Sequence, residues 1–160
     1  MPVELKDYSF EVKAELDETA IEWLHTWANE IASHAKDNVQ LDGDEGVQLR
    51  KSYRADVDEA KGQAQIGTPL ESGYWEEFGT GEYAVHGDGR KGWWVWKEGY
   101  EGNGGAMLTE EEAKAIAASD PTIHATNGRP PAHTLENAFV VNKPKAIADA
   151  EQRLKARTDG

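Results

Sequence analysis

The chain contains no cysteine. Disulfides, thiolate metal sites and cysteine nucleophiles are therefore excluded, and the composition fits a protein made in a reducing cytoplasm. The chain also lacks a run of about eighteen apolar residues, so we predict no membrane span and no membrane partner. Residues 1–7 do not combine a basic stretch with an apolar one, and we expect no secretory signal there.

Basic residues are scarce. The chain has 17 Lys and Arg residues and 30 Asp and Glu residues, which gives a net charge of −13. Such a surface repels phosphates and argues against a protein that reads nucleic-acid sequence, although it is compatible with one that surrounds DNA without gripping it. With 160 residues, 38% of them hydrophobic, the chain is long enough for a single domain with its own core.

Hydrophobic periodicity predicts most of the secondary structure. Residues 8–16 alternate as in a strand or extended arm, and an apolar stripe predicts a helix from a cap at Asp17 to about Asn38. We read 41–46 as a polar turn, 49–57 as a half-buried strand and 63–68 as its antiparallel partner. Trp23 falls off the helix stripe and is expected to meet another surface.

The second half of the chain is rich in glycine and aromatic residues between 69 and 105. Trp93–Lys97 has strand character, and Thr109 with Glu112 has capping-box spacing for a short helix to about Ala118. A last helix is predicted from about Pro144 to Arg157. We therefore expect an α+β fold, in which a small, mostly antiparallel sheet packs against a long N-terminal helix and a C-terminal helix.

No pattern predicts catalysis, a cofactor or a metal ion. The five histidines show none of the zinc spacings, and the acidic segment 42–46 does not continue into a calcium loop. Glu76 and Glu77 are adjacent and would point to opposite faces of a strand. We predict that the protein is not an enzyme, with a small hydrolase that depends on Glu76 or Glu77 as a remaining alternative.

Two aromatic groups are candidate contact sites. Trp93, Trp94 and Trp96 form the densest cluster, and we favour core or subunit contact for them over sugar binding. A second group is expected to divide between the core and subunit contact, because three aromatics within five residues cannot all face one side: Tyr74, Trp75 and Phe78.

Two glycines, Gly79 and Gly81, follow the second group. Their spacing predicts a tight turn with positive φ or a close backbone approach.

Three segments in order resemble one protein family. They read GVQLRKS at 46–52, IGT at 66–68 followed by YWEEFGTG at 74–81, and GRPP at 128–131 followed by LENAF at 135–139. The order and spacing resemble the gene-ten-like minor neck proteins of lambdoid phages, also called tail-completion or head–tail joining proteins. His133 and Thr134 stand where that family usually has proline and an aromatic residue, and the segment at about 83–127 is an elaboration.

The resemblance implies a structural protein of the virion, made in the host bacterial cytoplasm. It would form a ring, usually a hexamer, at the head–tail interface. Its partners would be further copies of itself, the tail tube or terminator protein and the head connector, and DNA would pass through the lumen without specific binding. The resemblance implies one neck domain over residues 1–160. The alternative from another class is a carbohydrate- or receptor-binding module that uses Trp93, Trp94 and Trp96.

Overall fold

The computed structural model describes residues 10–11, 18–97 and 107–159. The elements, in chain order, are β1 (Phe10–Glu11), α1 (Glu18–Asn38), α2 (Gly43–Ser52), β2 (Arg54–Asp58), β3 (Gln63–Gly67), α3 (Glu71–Phe78), a 3-10 turn (Gly81–Tyr83), β4 (Trp94–Lys97), α4 (Glu110–Ser119), β5 (Ile123–Thr126) and α5 (Thr134–Thr158). The predicted cap at Asp17 lies outside the described residues. The α+β fold class is confirmed.

The chain divides into two compact units. The first comprises Met1–Glu77 with Ala132–Gly160, and the second comprises Phe78–Pro131. The segment predicted as an elaboration, 83–127, lies within the second unit. None of the described helices is both long and apolar enough to cross a membrane.

The first unit contains a three-stranded antiparallel sheet in the order β1-β3-β2. Ala55 pairs with Ile66 and Val57 with Ala64, as expected for the predicted hairpin. These side chains pack against the helices, where α1 and α5 lie together over the core. Since a sheet face and a helix stripe must each bury their apolar side, this two-layer packing accounts for the unit.

Helix α1 buries two faces. Its predicted stripe is buried at Leu24, Ala28, Ile31 and Ala35. Trp23 is also buried, with 6% of its surface exposed, and its Nε1 donates a hydrogen bond of 2.9 Å to the carbonyl of Ala146 in α5. The expectation that Trp23 meets another surface is confirmed, because α5 supplies that surface.

The prediction for residues 41–57 was partly wrong. Helix α2 occupies the predicted turn and the first half of the predicted strand, and β2 begins only at Arg54. Acidic residues in the first turn of α2 and basic ones in the last turn complement the helix dipole. Gly46 allows the close approach, since a Cβ there would lie 1.9 Å from the carbonyl oxygen of Leu41.

The predicted start of the last helix was also wrong. Helix α5 begins at Thr134 and contains Pro144 in its interior. A proline has no N–H, so it leaves the carbonyl of the residue four positions earlier without its helical partner. That residue is Val140, and its side chain is 60% exposed. Because this side of the helix faces solvent, water can take the place of the missing donor.

The second unit pairs β4 with β5 in antiparallel register, and α4 packs on them. The strand at Trp94–Lys97 was predicted, whereas β5 was not. The capping box at the start of α4 is confirmed, because Thr109 Oγ1 accepts from the N–H of Glu112 and the Glu112 side chain accepts from the N–H of Thr109.

Candidate functional site

Two adjacent carboxylates are buried at the end of α3. Glu76 and Glu77 each have only 2% of their surface exposed. The expectation of opposite faces assumed a strand, but the segment is helical, and neighbouring residues on a helix are only about 100° apart. Both side chains can therefore enter the first unit together.

Glu77 caps the start of α5. Its Oε2 accepts the N–H of Leu135 at 2.7 Å, and its Oε1 accepts the N–H of Glu136 at 3.0 Å. The first N–H groups of a helix have no partner inside the helix. His133, at the N-cap position, has a φ of 50° and its side chain makes no capping hydrogen bond. Glu77 thus supplies from α3 the acceptor that the local sequence does not.

Glu76 connects three segments of the first unit. Its Oε2 accepts from the hydroxyl of Thr134 and from the N–H of Gln40, both at 3.1 Å. Its backbone carbonyl accepts the N–H of Ala132 at 2.7 Å. The residue therefore joins α3 to the loop after α1 and to the segment that enters α5.

Burial raises the pKa of two groups in this region, Glu77 and Tyr53. It raises the pKa of Glu77 above its ordinary value, against the opposing effect of the N–H groups of Leu135 and Glu136. Burial also raises the pKa of Tyr53, and the carboxylates of Glu77 and Glu76 raise it further. The Tyr53 phenol therefore stays neutral beside the two acids.

Glu77, His133 and Glu136 are close enough to be tested as a metal site. Each offers a ligand atom within 4.8 Å of the others, and His133 Nδ1 lies 2.9 Å from Glu136 Oε2. However, both oxygens of Glu77 already accept helix N–H groups, and the positive end of the α5 dipole opposes a cation at this position. The geometry fits a helix cap better than a metal site.

The predicted turn at Gly79 and Gly81 is confirmed in the second unit. Their φ values are 74° and 59°. A Cβ on Gly79 would lie 2.9 Å from the carbonyl oxygen of Arg129, and one on Gly81 would lie 2.2 Å from that of Asn127. Thr80 bonds to Arg129 in both directions, with its N–H on the Arg129 carbonyl at 2.9 Å and its Oγ1 accepting the Arg129 N–H at 3.0 Å. Only glycine permits so close an approach of the two backbones.

The first aromatic group is divided in its burial. Trp75 is 43% exposed, whereas Tyr74 and Phe78 are half-buried. The Phe78 ring lies 4.7 Å from the ring of His86, measured between centroids. Trp75 is thus the member of this group with the most surface available for contact with another protein.

The tryptophan cluster is also divided, between two sides of the β4–β5 pair. Trp93 forms a bridge with Leu108, and Lys114 Nζ lies 5.4 Å from its ring centroid. Trp94 and Trp96 lie opposite Thr126 and His124 on β5. The rings of Trp96 and His124 stack at 4.4 Å, and Trp96 is 46% exposed. Trp96 therefore offers a partly open aromatic surface.

A shallow concavity of about 200 Å³ lies on the β2–β3 hairpin of the first unit. Its charged lining residues are Arg54 and Asp56. Small-molecule sites are usually about 300–1,000 Å³ and largely apolar, so this concavity is a weak candidate for a ligand pocket.

In comparisons with known proteins, no family model, curated protein or solved structure matches the chain. The described side chains point to two kinds of role. The buried carboxylates hold segments of the chain together, and the exposed apolar side chains offer contact surfaces. Sequence reasoning missed the capping role of Glu77, since its partners lie more than fifty residues further along the chain.

Proposed function

We propose that the protein is a structural component of a bacteriophage virion, a ring subunit that joins the tail to the head connector. The observation that carries the proposal concerns two of the segments that resemble the minor neck proteins. Glu76 and Glu77 bond to residues 132–136 in the first unit, and Thr80 bonds to Arg129 in the second. Residues of the second motif thus bond to residues of the third, Glu77 to Leu135 and Glu136 and Thr80 to Arg129.

The burial of the carboxylates favours this role over a hydrolase. A general acid or base must reach the proton that it transfers. Glu76 and Glu77 are each 2% exposed, and their oxygens accept hydrogen bonds from the backbone and from Thr134. Both side chains are therefore engaged in holding α5 and its neighbours in place.

Exposed apolar side chains supply the surface that a ring subunit needs. Single exposed hydrophobic residues are normal, but a group of them on one element is typical of a contact site. In the first unit, α5 carries such a group, with Val140 60%, Val141 52%, Ile147 44% and Leu154 62% exposed. Subunits of a ring meet through two different surfaces, which close by rotation.

The net charge fits a channel through which DNA passes. Six copies at −13 each would carry 6 × 13 = 78 negative charges. Such a ring has few Lys and Arg side chains with which to displace counterions from phosphates, so DNA slides without being held. The same charge makes subunits repel one another at low salt, and we propose that the ring forms on the tail end or connector.

Electron microscopy of virions and isolated tails with the labelled protein tests the assignment. We expect the label as a ring at the head–tail interface, and we expect tails without the protein to fail to join heads. Trp75→Ala should lower joining or stability. Label found elsewhere on the particle, or normal joining without the protein, would overturn the proposal.

One observation favours the alternative of a carbohydrate- or receptor-binding module. Trp96 is 46% exposed, and its ring stacks on that of His124. A partly exposed aromatic ring held in place in this way is typical of a surface that binds sugars. Glycan-array binding that is lost in Trp96→Ala and retained in Trp75→Ala would support this module. Absence of glycan binding in the unmodified protein would exclude this alternative function.

A further inference from the structure

Helix α5 carries exposed apolar side chains on the side opposite its buried residues. Val140, Ile147 and Leu154 are 60%, 44% and 62% exposed. At about 100° per residue the three lie within about 40° of one another around the helix axis, and at about 1.5 Å per residue they extend over about 21 Å. The buried residues of α5 each lie about 100° or more from Ile147; they are Thr134, Leu135, Ala138, Asn142 and Ala146.

Charged residues of both signs lie on the same side of α5 as these apolar residues. Lys143 and Glu151 are exposed, and they lie four residues before and four residues after Ile147, about 40° to either side of it. Farther out, Glu136 lies near the start of the helix and Arg157 near its end, about 20° and 80° from Ile147. The charges thus alternate along the helix, and reversing its direction exchanges their signs. We call this surface the α5 face; its residues are Glu136, Val140, Lys143, Ile147, Glu151, Leu154 and Arg157, with Lys155 at its edge.

A second copy of α5 laid antiparallel on this face brings opposite charges together. With the copies related by a two-fold axis beside Ile147, Lys143 of each copy lies level with Glu151 of the other. At a distance of about 9 Å between the helix axes, the Cβ atoms of such a pair are about 6 Å apart, which is close enough for an ion pair. A parallel arrangement would instead place each of these residues opposite the same residue of the second copy, and like charges would repel.

The other residues of the α5 face also find suitable neighbours in the antiparallel arrangement. Glu136 of one copy lies near Arg157 of the other at each end, with about 6 Å between their Cβ atoms. Val140 lies opposite Leu154, and Ile147 lies opposite the same residue of the second copy. Apolar side chains therefore meet along the centre, and each acidic residue of the face has a basic neighbour.

We propose that the α5 face binds the α5 face of a second copy of this chain, antiparallel and about a two-fold axis. The contact does not rest on the proposed ring, because a two-fold contact closes after two copies whereas a ring needs two different surfaces. Since the proposed ring would use the same apolar side chains of α5, the pair has to separate before a ring forms.

The size of the contact predicts a weak dimer. A helix pair about 31 Å long and about 10 Å wide buries about 600 Å² in total, which is below the about 1,200 Å² of stable, specific interfaces. The net charge of −13 on each copy also opposes association. We expect a Kd of about 0.1 mM in about 0.15 M salt, where the Debye length is about 8 Å.

Charge reversal tests the contact, because the arrangement predicts which variants can pair. Lys143→Glu places a carboxylate opposite Glu151 twice in the dimer, and Glu151→Lys places an ammonium opposite Lys143 twice. An equal mixture of the two variants restores two favourable pairs. The matched control is Lys51→Glu, an exposed position on α2 where the substitution changes the net charge by the same amount as Lys143→Glu.

Sedimentation equilibrium measures the average mass of each sample. At a Kd of about 0.1 mM, we expect the unmodified protein to be mostly dimeric at about 0.2 mM and mainly monomeric at about 5 µM. Each single reversal on α5 should raise the Kd by at least about tenfold, whereas the mixture should return it to within about threefold of the unmodified value. Lys51→Glu should change the Kd by less than about threefold.

The apolar part of the contact has a separate test. Ile147→Gln should raise the Kd by about tenfold, because this side chain lies at the centre of the contact in both copies. Val141→Gln should leave the Kd unchanged, since Val141 is 52% exposed but lies about 120° from Ile147. Circular dichroism of each variant checks that the fold is intact.

Unmodified protein that is monomeric at about 0.2 mM would overturn the inference. So would a mixture of Lys143→Glu and Glu151→Lys that stays monomeric, or a loss in Lys51→Glu equal to that in Lys143→Glu. These outcomes are separate from that of the proposed function. Label at the neck with a mixture that stays monomeric removes this contact and leaves the function standing. Pairing restored in the mixture without label at the neck removes the function and leaves the contact standing.

Discussion

Glu77→Ala removes the acceptor for two N–H groups at the start of α5. The two hydrogen bonds measure 2.7 and 3.0 Å and end on one buried carboxylate. A hydrogen bond to a charged group contributes about 1.5–3 kcal/mol, and a buried donor left without a partner costs about as much. The cost of burying the charge offsets part of this gain, so we expect the free energy of unfolding to fall by about 3 kcal/mol.

Equilibrium denaturation at neutral pH, followed by far-UV circular dichroism, measures the loss. For a chain of this size about 3 kcal/mol corresponds to a fall in Tm of about 6–12 °C. Glu151→Ala is the control, because Glu151 is exposed on the same helix and should change stability by less than about 0.5 kcal/mol. If Glu77→Ala costs no more than this control, the carboxylate does not hold the start of α5 and our reasoning is refuted.

The pH dependence of the same residue has a definite sign. Burial raises the pKa of Glu77 above its ordinary 4.5, so the folded state binds the proton more tightly than the unfolded chain. The stability contributed by this linkage is complete below the unfolded pKa and is lost as pH rises through the folded pKa. We therefore expect the stability difference between the unmodified protein and Glu77→Gln to be larger near pH 4 than near pH 7. A difference that grows with pH would contradict the raised pKa.

The remaining predictions concern a turn, a buried bond and assembly. Gly81→Ala should destabilise the protein by more than Gly87→Ala as measured by Tm, because both have positive φ but only at Gly81 would a Cβ meet backbone atoms. Trp23→Phe should cost about 1–2 kcal/mol in denaturant unfolding, since it leaves the Ala146 carbonyl without its side-chain donor. Light scattering across a salt series should find mainly monomer in dilute, low-salt buffer, and a stable hexamer under those conditions would contradict assembly on a template.

The sequence predicted those elements whose signals are local. The stripe of α1, the hairpin of β2 and β3 and the capping box at Thr109 each lie within one short segment, and each was found. Local signals gave a wrong secondary structure where tertiary packing determined the conformation. Gly43 and Gly46 suggested a turn, yet α2 forms there and buries Leu49 in the core.

The candidate site depended on contacts that no local pattern contains. The capping role of Glu77 requires that α3 lie beside the start of α5, and the two are distant along the chain. His133 at the N-cap has an αL conformation and makes no side-chain cap, and no local pattern in the sequence predicts this. By contrast, the turn at Gly79 and Gly81 was predictable, because glycine adopts positive φ without strain and two glycines so close together indicate a backbone that needs it.

The uneven distribution of charge bears on the proposed passage of DNA. Helix α5 holds five of the 17 basic residues. The rest of the chain carries −15, so the surface outside α5 repels phosphates. Outside α5, 12 basic residues (17 − 5) stand against 27 acidic ones (30 − 3), so a lumen lined by this part of the chain would make few strong phosphate contacts.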